Sequence, residues 1–516
     1  MTLLKNFETC RSALWGANFF LRLTLALLAG IGLSFMQAPH DMWFLMFPCL
    51  GLFYFLYAAA KNKKQVFATA FIFAIGYFVT GLNWIGNALL VEGNDYKWVW
   101  PLAVIALPTL LSLFTALYVT IAHILFPKNT PAGFLGFCVL LTISEYVRGY
   151  VFTGFPWNLY GYGWSSVLPM LQSLSLFGPY GLTFLTVIWG ASLGYLACQS
   201  KSKIAVTSFV ILSMITIYEF GVFRLVKASK EAVKGVLIEI VQPNIAQAEK
   251  WKSENIGTNF DKHIKLSAAY MNGEKNIYIW PETAMPPALL NMPAARERIA
   301  TFLNNDGLLL TGALKVEENP TAYYNALIAW KNSDPPKHLY SKSHLVPFGE
   351  YIPFQKFIPI KAISGFSGFT KGKGPQTIEV EGYPSFSPLI CYEVIFPNHA
   401  VNKSQPRPDY ILTITNDAWY GDSPGPYQHF QHAKYRAIEQ GIPVIRSANT
   451  GISGLADAYG RVISKINLME EGSVVVPLPL KTPEKTYYSV HGDRLFIGTV
   501  LLCLLLALAL RKKRFS

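Results

Sequence analysis

Three residues, one in each of three separate segments, could together carry acyl chemistry through a thiol. Cys391 closes the apolar run Ser387-Pro388-Leu389-Ile390 and is followed at once by Tyr392 and Glu393. It is the only cysteine in the long polar half of the chain; Cys10, Cys49, Cys138, Cys198 and Cys503 lie in or beside apolar stretches. A thiol without a disulfide partner in its own domain is either a buried packing residue or a nucleophile. Glu282 follows Trp280-Pro281 at the end of another strand-like run, and Lys342 stands in Tyr340-Ser341-Lys342-Ser343-His344. Each has a plain structural alternative, Glu282 as a helix cap and Lys342 as a solvated surface charge. Tyr392 and Glu393 could equally be structural hydrogen-bonding partners. Spacing alone does not bring these groups together, so the elements that carry them must.

Those elements read as an α/β domain. Strand-like runs end repeatedly in polar residues: Val236–Gln242 before Pro243-Asn244, Ile277–Trp280 before Pro281-Glu282, Gly307–Thr311 before Gly312 and Tyr410–Thr415 before Asn416-Asp417. Val444-Ile445 leads into Arg446-Ser447-Ala448-Asn449. Helical patterns over 294–304 and 427–440 separate some of them, and alternation of this kind gathers chemistry at strand ends. The Gly- and Ser-rich stretch 363–374 carries Phe366 and Phe369, which suits a loop at a membrane surface or a plain connector.

The rest of the chain is of another class. The protein has 516 residues, 52% of them hydrophobic and 15% charged, with a mean hydropathy of +0.29. Soluble domains carry about 25% charged residues. Apolar runs near 19–37, 41–60, 66–90, 99–126, 133–151, 176–198, 204–226 and 494–510 predict eight membrane spans. No cleavable signal peptide is expected, because the first run leads straight into the second. The organisation expected is a bundle over 1–226, a polar domain over 227–493 and a last helix with a basic tail over 494–516. Lys61-Asn62-Lys63-Lys64, Lys128, Lys201-Ser202-Lys203 and Arg511–Arg514 alternate with Asp41, Glu92 and Asp95. The positive-inside bias therefore places both termini inside and the polar domain outside. The net charge of +13 is then largely topological. No basic patch interleaved with aromatics is evident in the polar domain, so no nucleic-acid partner is expected.

The words around the three reactive residues are specific. Trp280-Pro281-Glu282-Thr283-Ala284, Lys342-Ser343-His344-Leu345-Val346-Pro347-Phe348-Gly349-Glu350-Tyr351, Ile390-Cys391-Tyr392-Glu393 and Asn416-Asp417-Ala418-Trp419 together resemble the nitrilase superfamily. Eight flanking helices, with Thr153-Gly154-Phe155-Pro156-Trp157 and Gln428-His429-Phe430, narrow the resemblance to its membrane-bound branch, the apolipoprotein N-acyltransferases of bacterial inner membranes. The resemblance implies an α-β-β-α sandwich and a Glu-Lys-Cys triad at Glu282, Lys342 and Cys391. Glu282 would accept the proton, Lys342 stabilise the oxyanion and Cys391 attack. Glu350 would orient Lys342 or assist proton transfer, with Tyr392 and Glu393 shaping the pocket.

The resemblance also implies the substrates. A membrane phospholipid donates an acyl chain, and the α-amine of an S-diacylglyceryl-cysteine apolipoprotein accepts it, through a thioester on Cys391. A membrane-bound amidase, a different acyltransferase, and a lipid transporter with a degenerate enzyme domain are the alternatives. Trp251 and Trp419 are candidates for lining a lipid or acceptor groove, or for ordinary packing. His429 and His432, three apart on a helical pattern, would suit two metal ligands, yet no third ligand matches and thiol chemistry needs no metal or other cofactor. Glu145 and Arg148 share a helical face and read as a structural pair within the bundle.

Overall fold

The computed structural model describes residues 12, 16, 18–198, 202–267, 271, 273–290, 292–303, 307–319, 321–331, 335–353 and 368–512. They form two compact units. One comprises the described residues up to Ile85 with Pro101–Val226 and the chain from His491; the other is Gly86–Trp100 with Lys227–Val490. Gly86–Trp100, read from the sequence as the end of one span and the loop beyond it, groups with the second unit because it is tied there: Asn87 Nδ2 donates to the Tyr420 carbonyl at 2.8 Å.

The first unit is helical. Helices occupy all eight expected positions: Phe19–Ser34, Met46–Ala59, Lys63–Leu82, Trp100–Leu125, Pro131–Arg148, Leu174–Ala197, Lys203–Val226 and Arg494–Lys512. By length and composition, five stretches among the described residues suffice to cross a membrane: Lys63–Leu90, Lys97–Leu125, Leu174–Ala197, Lys203–Val226 and Arg494–Arg511. Local chemistry starts several of the helices. Asn18, Asn62 and Thr130 each accept a first-turn N–H through the side chain, and Pro131 follows Thr130 where its missing N–H costs nothing. Gly30 lets two helices touch through their backbones, since a Cβ there would lie 1.9 Å from the Phe73 carbonyl oxygen.

Glu145 and Arg148 pair at 2.7 Å with both side chains fully buried. Arg148 also donates to the carbonyls of Phe155, Trp157 and Asn158 at 2.6, 2.9 and 3.2 Å, so the pair braces the 155–158 segment.

Among the described residues, the second unit contains two sheets. Strands β1 (Ala232–Gln242), β2 (Lys275–Ile279), β3 (Gly307–Glu318), β4 (Thr321–Lys331), β5 (Lys337–Ser341) and β11 (Gly472–Pro479) form one, in the order β11-β1-β2-β3-β4-β5. Strands β6 (Phe386–Ile390), β7 (Tyr410–Thr415), β8 (Val444–Ala448), β9 (Ser453–Ala456) and β10 (Val462–Ile466) form the other, in the order β10-β9-β8-β7-β6. Strands β1, β2 and β3 run parallel, as do β6, β7 and β8.

Alternation sorts the side chains into layers. Ile238, Ile240, Ile277, Ile279, Leu308 and Leu310 share one core with Ile390, Tyr410, Leu412, Ile414 and Ile445 of the opposite sheet. The intervening Tyr278 and Leu309 pack outward with Trp280 against Phe260, Ala295, Ile299 and Leu303 of the helices Ile256–Leu266 and Pro293–Leu303. Helix Pro424–Gln440 packs on β8 and β9, which completes an α-β-β-α sandwich. Of the Gly- and Ser-rich stretch, 363–367 lies outside the described residues, as does Asn304 at the end of the expected helix 294–304. The remainder of that stretch is pinned, with Phe369 and Gly372 donating backbone N–H groups to the carbonyls of Glu350 and Lys342 at 2.8 Å each.

Candidate active site

Strand β2 delivers Glu282. Pro281 has no N–H to extend the ladder, and the chain turns through Thr283, a β-branched residue held at φ +49°. The turn lies directly on β3: the Gly312 N–H donates to the Pro281 carbonyl at 3.2 Å, and a Cβ on Gly312 would lie 2.6 Å from the Glu282 Cα. The Glu282 carboxylate is buried, and its Oε1 accepts from Asn325 Nδ2 at 2.6 Å.

Asn325, on β4, organises the neighbouring groups. Its carbonyl accepts the Lys342 N–H at 2.8 Å as β5 ends, and its amide also reaches Glu350 Oε1 at 3.3 Å. Lys342 Nζ lies 2.8 Å from Glu350 Oε1 and 3.8 Å from Glu282 Oε1, with the side chain almost wholly buried. Burial alone would favour the neutral amine. Glu350 and then Glu282 outweigh it, holding Lys342 protonated well above the ordinary lysine range. The second oxygen of Glu350 accepts from the Val346 N–H at 2.8 Å, which fixes the carboxylate that faces the lysine.

Cys391 ends β6 and opens the short 3₁₀ turn Cys391–Ile395 with φ +52°, a strained conformation of the sort found at functional sites. Burial pushes its thiol up to about 12; the Glu282 carboxylate adds to the rise, and Lys342 opposes it. The thiol is therefore protonated at neutral pH, and a base must take its proton as it attacks. Glu393 is fully committed: Oε1 accepts from Tyr340 Oη, Ser343 N, Ser343 Oγ and His344 N at 2.7, 2.7, 2.6 and 3.1 Å, while Oε2 accepts from Ile390 N at 2.8 Å. It ties the segment around Lys342 to the turn that presents Cys391. Tyr392 is buried with its ring edge-on to Phe396.

Behind Cys391 lies a buried polar relay. Asp417, just past the end of β7, receives Arg446 Nη2 at 2.5 Å and Thr415 Oγ1 at 3.0 Å, and it faces His429 Nδ1 at 2.8 Å. The other nitrogen of His429 lies 3.2 Å from the Cys391 carbonyl. Ligand atoms of Cys391, Asp417 and His429 fall within 4.8 Å of one another, a spacing that could hold an ion. Asp417 is already engaged within the protein, however, by Thr415, His429 and the Arg446 guanidinium, which supplies the positive charge that an ion would bring. His432 is not part of this cluster.

Comparison with known proteins decides the family. The family described as "Apolipoprotein N-acyltransferase N-terminal domain" matches residues 29–192, and "Carbon-nitrogen hydrolase" matches 237–488. The apolipoprotein N-acyltransferase of Rhodopseudomonas palustris is 36% identical over 97% of this chain and 96% of that protein. The chain belongs to the apolipoprotein N-acyltransferase family. The relative from Brucella melitensis biotype 1 is 35% identical over 95% of each chain. Among solved structures, an amidase from Nesterenkonia sp. matches with 16% identity, 53% of this chain, 99% of that one and a TM-score of 0.32. The chain is an N-acyltransferase of the nitrilase superfamily and a bacterial membrane protein.

In this acyltransferase Trp251 and Trp419 are partly exposed, at 43% and 37%. Trp251 lines a small, narrow cleft with Lys250, His263 and Thr283. Sequence reasoning overlooked Lys250, Asn325 and Arg446. Lys250 adjoins Trp251, and Arg446 stands at a strand end, but neither has a motif to mark it. Asn325 sits mid-strand, and only strand register reveals that it faces two carboxylates.

Proposed function

We propose that this acyltransferase moves a fatty acyl chain from a membrane phospholipid to the α-amine of the S-diacylglyceryl cysteine of an apolipoprotein, by way of a thioester on Cys391. The observation that carries this reading is that Glu282 and Lys342, buried and 3.8 Å apart, both act electrostatically on a thiol held at a strained strand end. Glu282 takes the Cys391 proton while the sulfur attacks the ester carbonyl. Lys342, beside the backbone N–H groups of the Tyr392 turn, stabilises the oxyanion. Collapse expels the lysophospholipid alkoxide, which receives the proton from Glu282.

The neutral amine of the lipoprotein then attacks the thioester. Glu282 removes one amine proton and returns it to the departing thiolate, restoring the starting enzyme. Glu350 orients Lys342, while Glu393 and Tyr392 shape the pocket. Trp251 and Trp419 line the approach of a lipidated substrate. The reading places the enzyme in the inner membrane with eight spans and the catalytic unit on the periplasmic side.

The test is mass spectrometry of purified full-length protein mixed with phospholipid alone and then with a diacylated lipopeptide. The first mixture should add one acyl mass at Cys391, labile to neutral hydroxylamine, and the second should pass it to the peptide. Water alone should discharge it slowly, because the site excludes solvent. Transfer only when both substrates are present, with no adduct in a rapid-quench series, would replace ping-pong with direct transfer. Rapid release of free fatty acid would make the enzyme a hydrolase.

A further inference from the structure

We propose that Lys250 is a positioning residue for the acyl-transfer reaction, holding the Glu282 turn by its backbone so that the carboxylate meets the Cys391 thiol. The inference rests on the role proposed for Glu282. Lys250 Nζ donates to the Glu282 carbonyl at 2.9 Å and to Thr283 Oγ1 at 2.8 Å, and the residue is only 8% exposed. Lys342 pairs with two carboxylates, whereas Lys250 makes no ion pair among the described residues. Burying a cation without a counter-charge is costly, so packing alone is a poor reason for a lysine here.

Both acceptors of Lys250 belong to the turn that carries the carboxylate, and that turn is strained at Thr283. Strain persists only where the surroundings over-determine the conformation. Lys250 supplies two of the constraints, and the segment it projects from is itself anchored. Asn449 receives the Ile245 N–H at 2.9 Å and donates to the Ile245 carbonyl at 2.7 Å. The Glu282 carboxylate is near enough to affect the amine: burial lowers Lys250 to about 8, and Glu282 opposes that fall. The arrangement has a counterpart across the site, where His429 faces the carbonyl of Cys391. Each of the two residues that exchange the proton thus has its own carbonyl approached by a buried nitrogen.

A residue that acts through Glu282 must lose its effect once Glu282 cannot accept a proton. The experiment measures single-turnover formation of the Cys391 acyl adduct over a range of phospholipid concentrations. It compares full-length wild type, Lys250→Met, Glu282→Gln and the double variant. Lys250→Met should lower the saturating rate by about 10- to 100-fold, the scale of a misplaced reacting group, with half-saturation unchanged. Added to Glu282→Gln, it should cost less than about 2-fold further. A full additional loss in the double variant, or an effect confined to half-saturation, overturns the assignment.

Should Lys250→Met fail to accumulate as folded protein, Thr283→Val removes one of the two acceptors while keeping the side-chain shape. The same comparison then applies, and an additive loss with Glu282→Gln again overturns the proposal. A Glu282→Gln variant that reacts at the wild-type rate removes the role of Glu282 and this inference with it. A slow Glu282→Gln beside an unaffected Lys250→Met removes only the assignment of Lys250.

Discussion

At the scale of single residues, the site separates charge from nucleophilicity. Lys342 is kept cationic by Glu350 and Glu282, while burial keeps the Cys391 thiol neutral. The nearby ammonium therefore leaves the thiol protonated in the resting enzyme, and the proton must leave during attack. Alkylation of Cys391 in the absence of lipid, read from the mass of its peptide, should keep climbing between about pH 7 and about pH 9, since the reactive species is the thiolate. A plateau in that range would mean a thiolate formed in advance. The division of labour makes a second prediction. Cys391→Ala should abolish acyl transfer to the lipopeptide, and Glu282→Gln and Lys342→Met should each slow it by at least ~100-fold, the usual cost of losing an acid–base or oxyanion group. Near-normal turnover in either charged-residue variant would reassign its role.

At the scale of elements, two strand ends carry most of the precision. The Glu282 turn rests on the backbone of β3 at Gly312, where an added Cβ would lie 2.4 Å from the Thr283 nitrogen and 2.7 Å from the Pro281 oxygen. Gly312→Ala should therefore push the turn away and slow adduct formation by on the order of 100-fold, because displacement of about 1 Å has that effect on aligned groups. A wild-type rate would show that the turn can yield without moving the carboxylate.

The end of β7 is secured electrostatically. Burial would raise the Asp417 carboxyl, but Arg446 and then His429 hold it down to about 2. A depressed pKa contributes stability that is complete above the unfolded value of about 3.9 and is lost as pH falls through the folded value. Asp417→Asn should cost roughly 3–5 kcal/mol at neutral pH by leaving Arg446 buried without its counter-charge. Thermal midpoints of wild type and variant should converge as pH drops from about 4 towards about 2. Equal midpoints at neutral pH would mean that Arg446 finds another partner.

At the scale of the whole molecule, both proposed substrates carry lipid tails, which accounts for one chain joining apolar helices to a nitrilase-like catalytic unit. The basic loops set the proposed orientation, with both termini in the cytoplasm. Reporter fusions after Lys63 and after Lys227 should score on opposite sides of the membrane. Reports from the same side would end the eight-span proposal and leave the catalytic unit without access to its acceptor.

The sequence by itself determined the class of each region and the words that hold the candidate reactive residues. Long apolar runs have few stable forms other than helices, and period-two alternation beside Pro, Gly and Asn sorts strands from turns. Hence the α/β reading of the polar region and the helix positions were legible in one dimension, while Glu282, Lys342 and Cys391 were marked as candidates only by the resemblance of the words around them. Only the tertiary structure decided which groups meet. Asn325 joins Glu282 to Glu350 because β4 lies in register beside β3, and Glu393 links the Lys342 and Cys391 segments across two sheets. The transfer of Gly86–Trp100 to the catalytic unit and the burial of Lys250 against the Glu282 turn likewise depend on partners far away along the chain. Hydrogen bonds between residues remote in sequence leave no periodic trace, so composition and spacing cannot announce them.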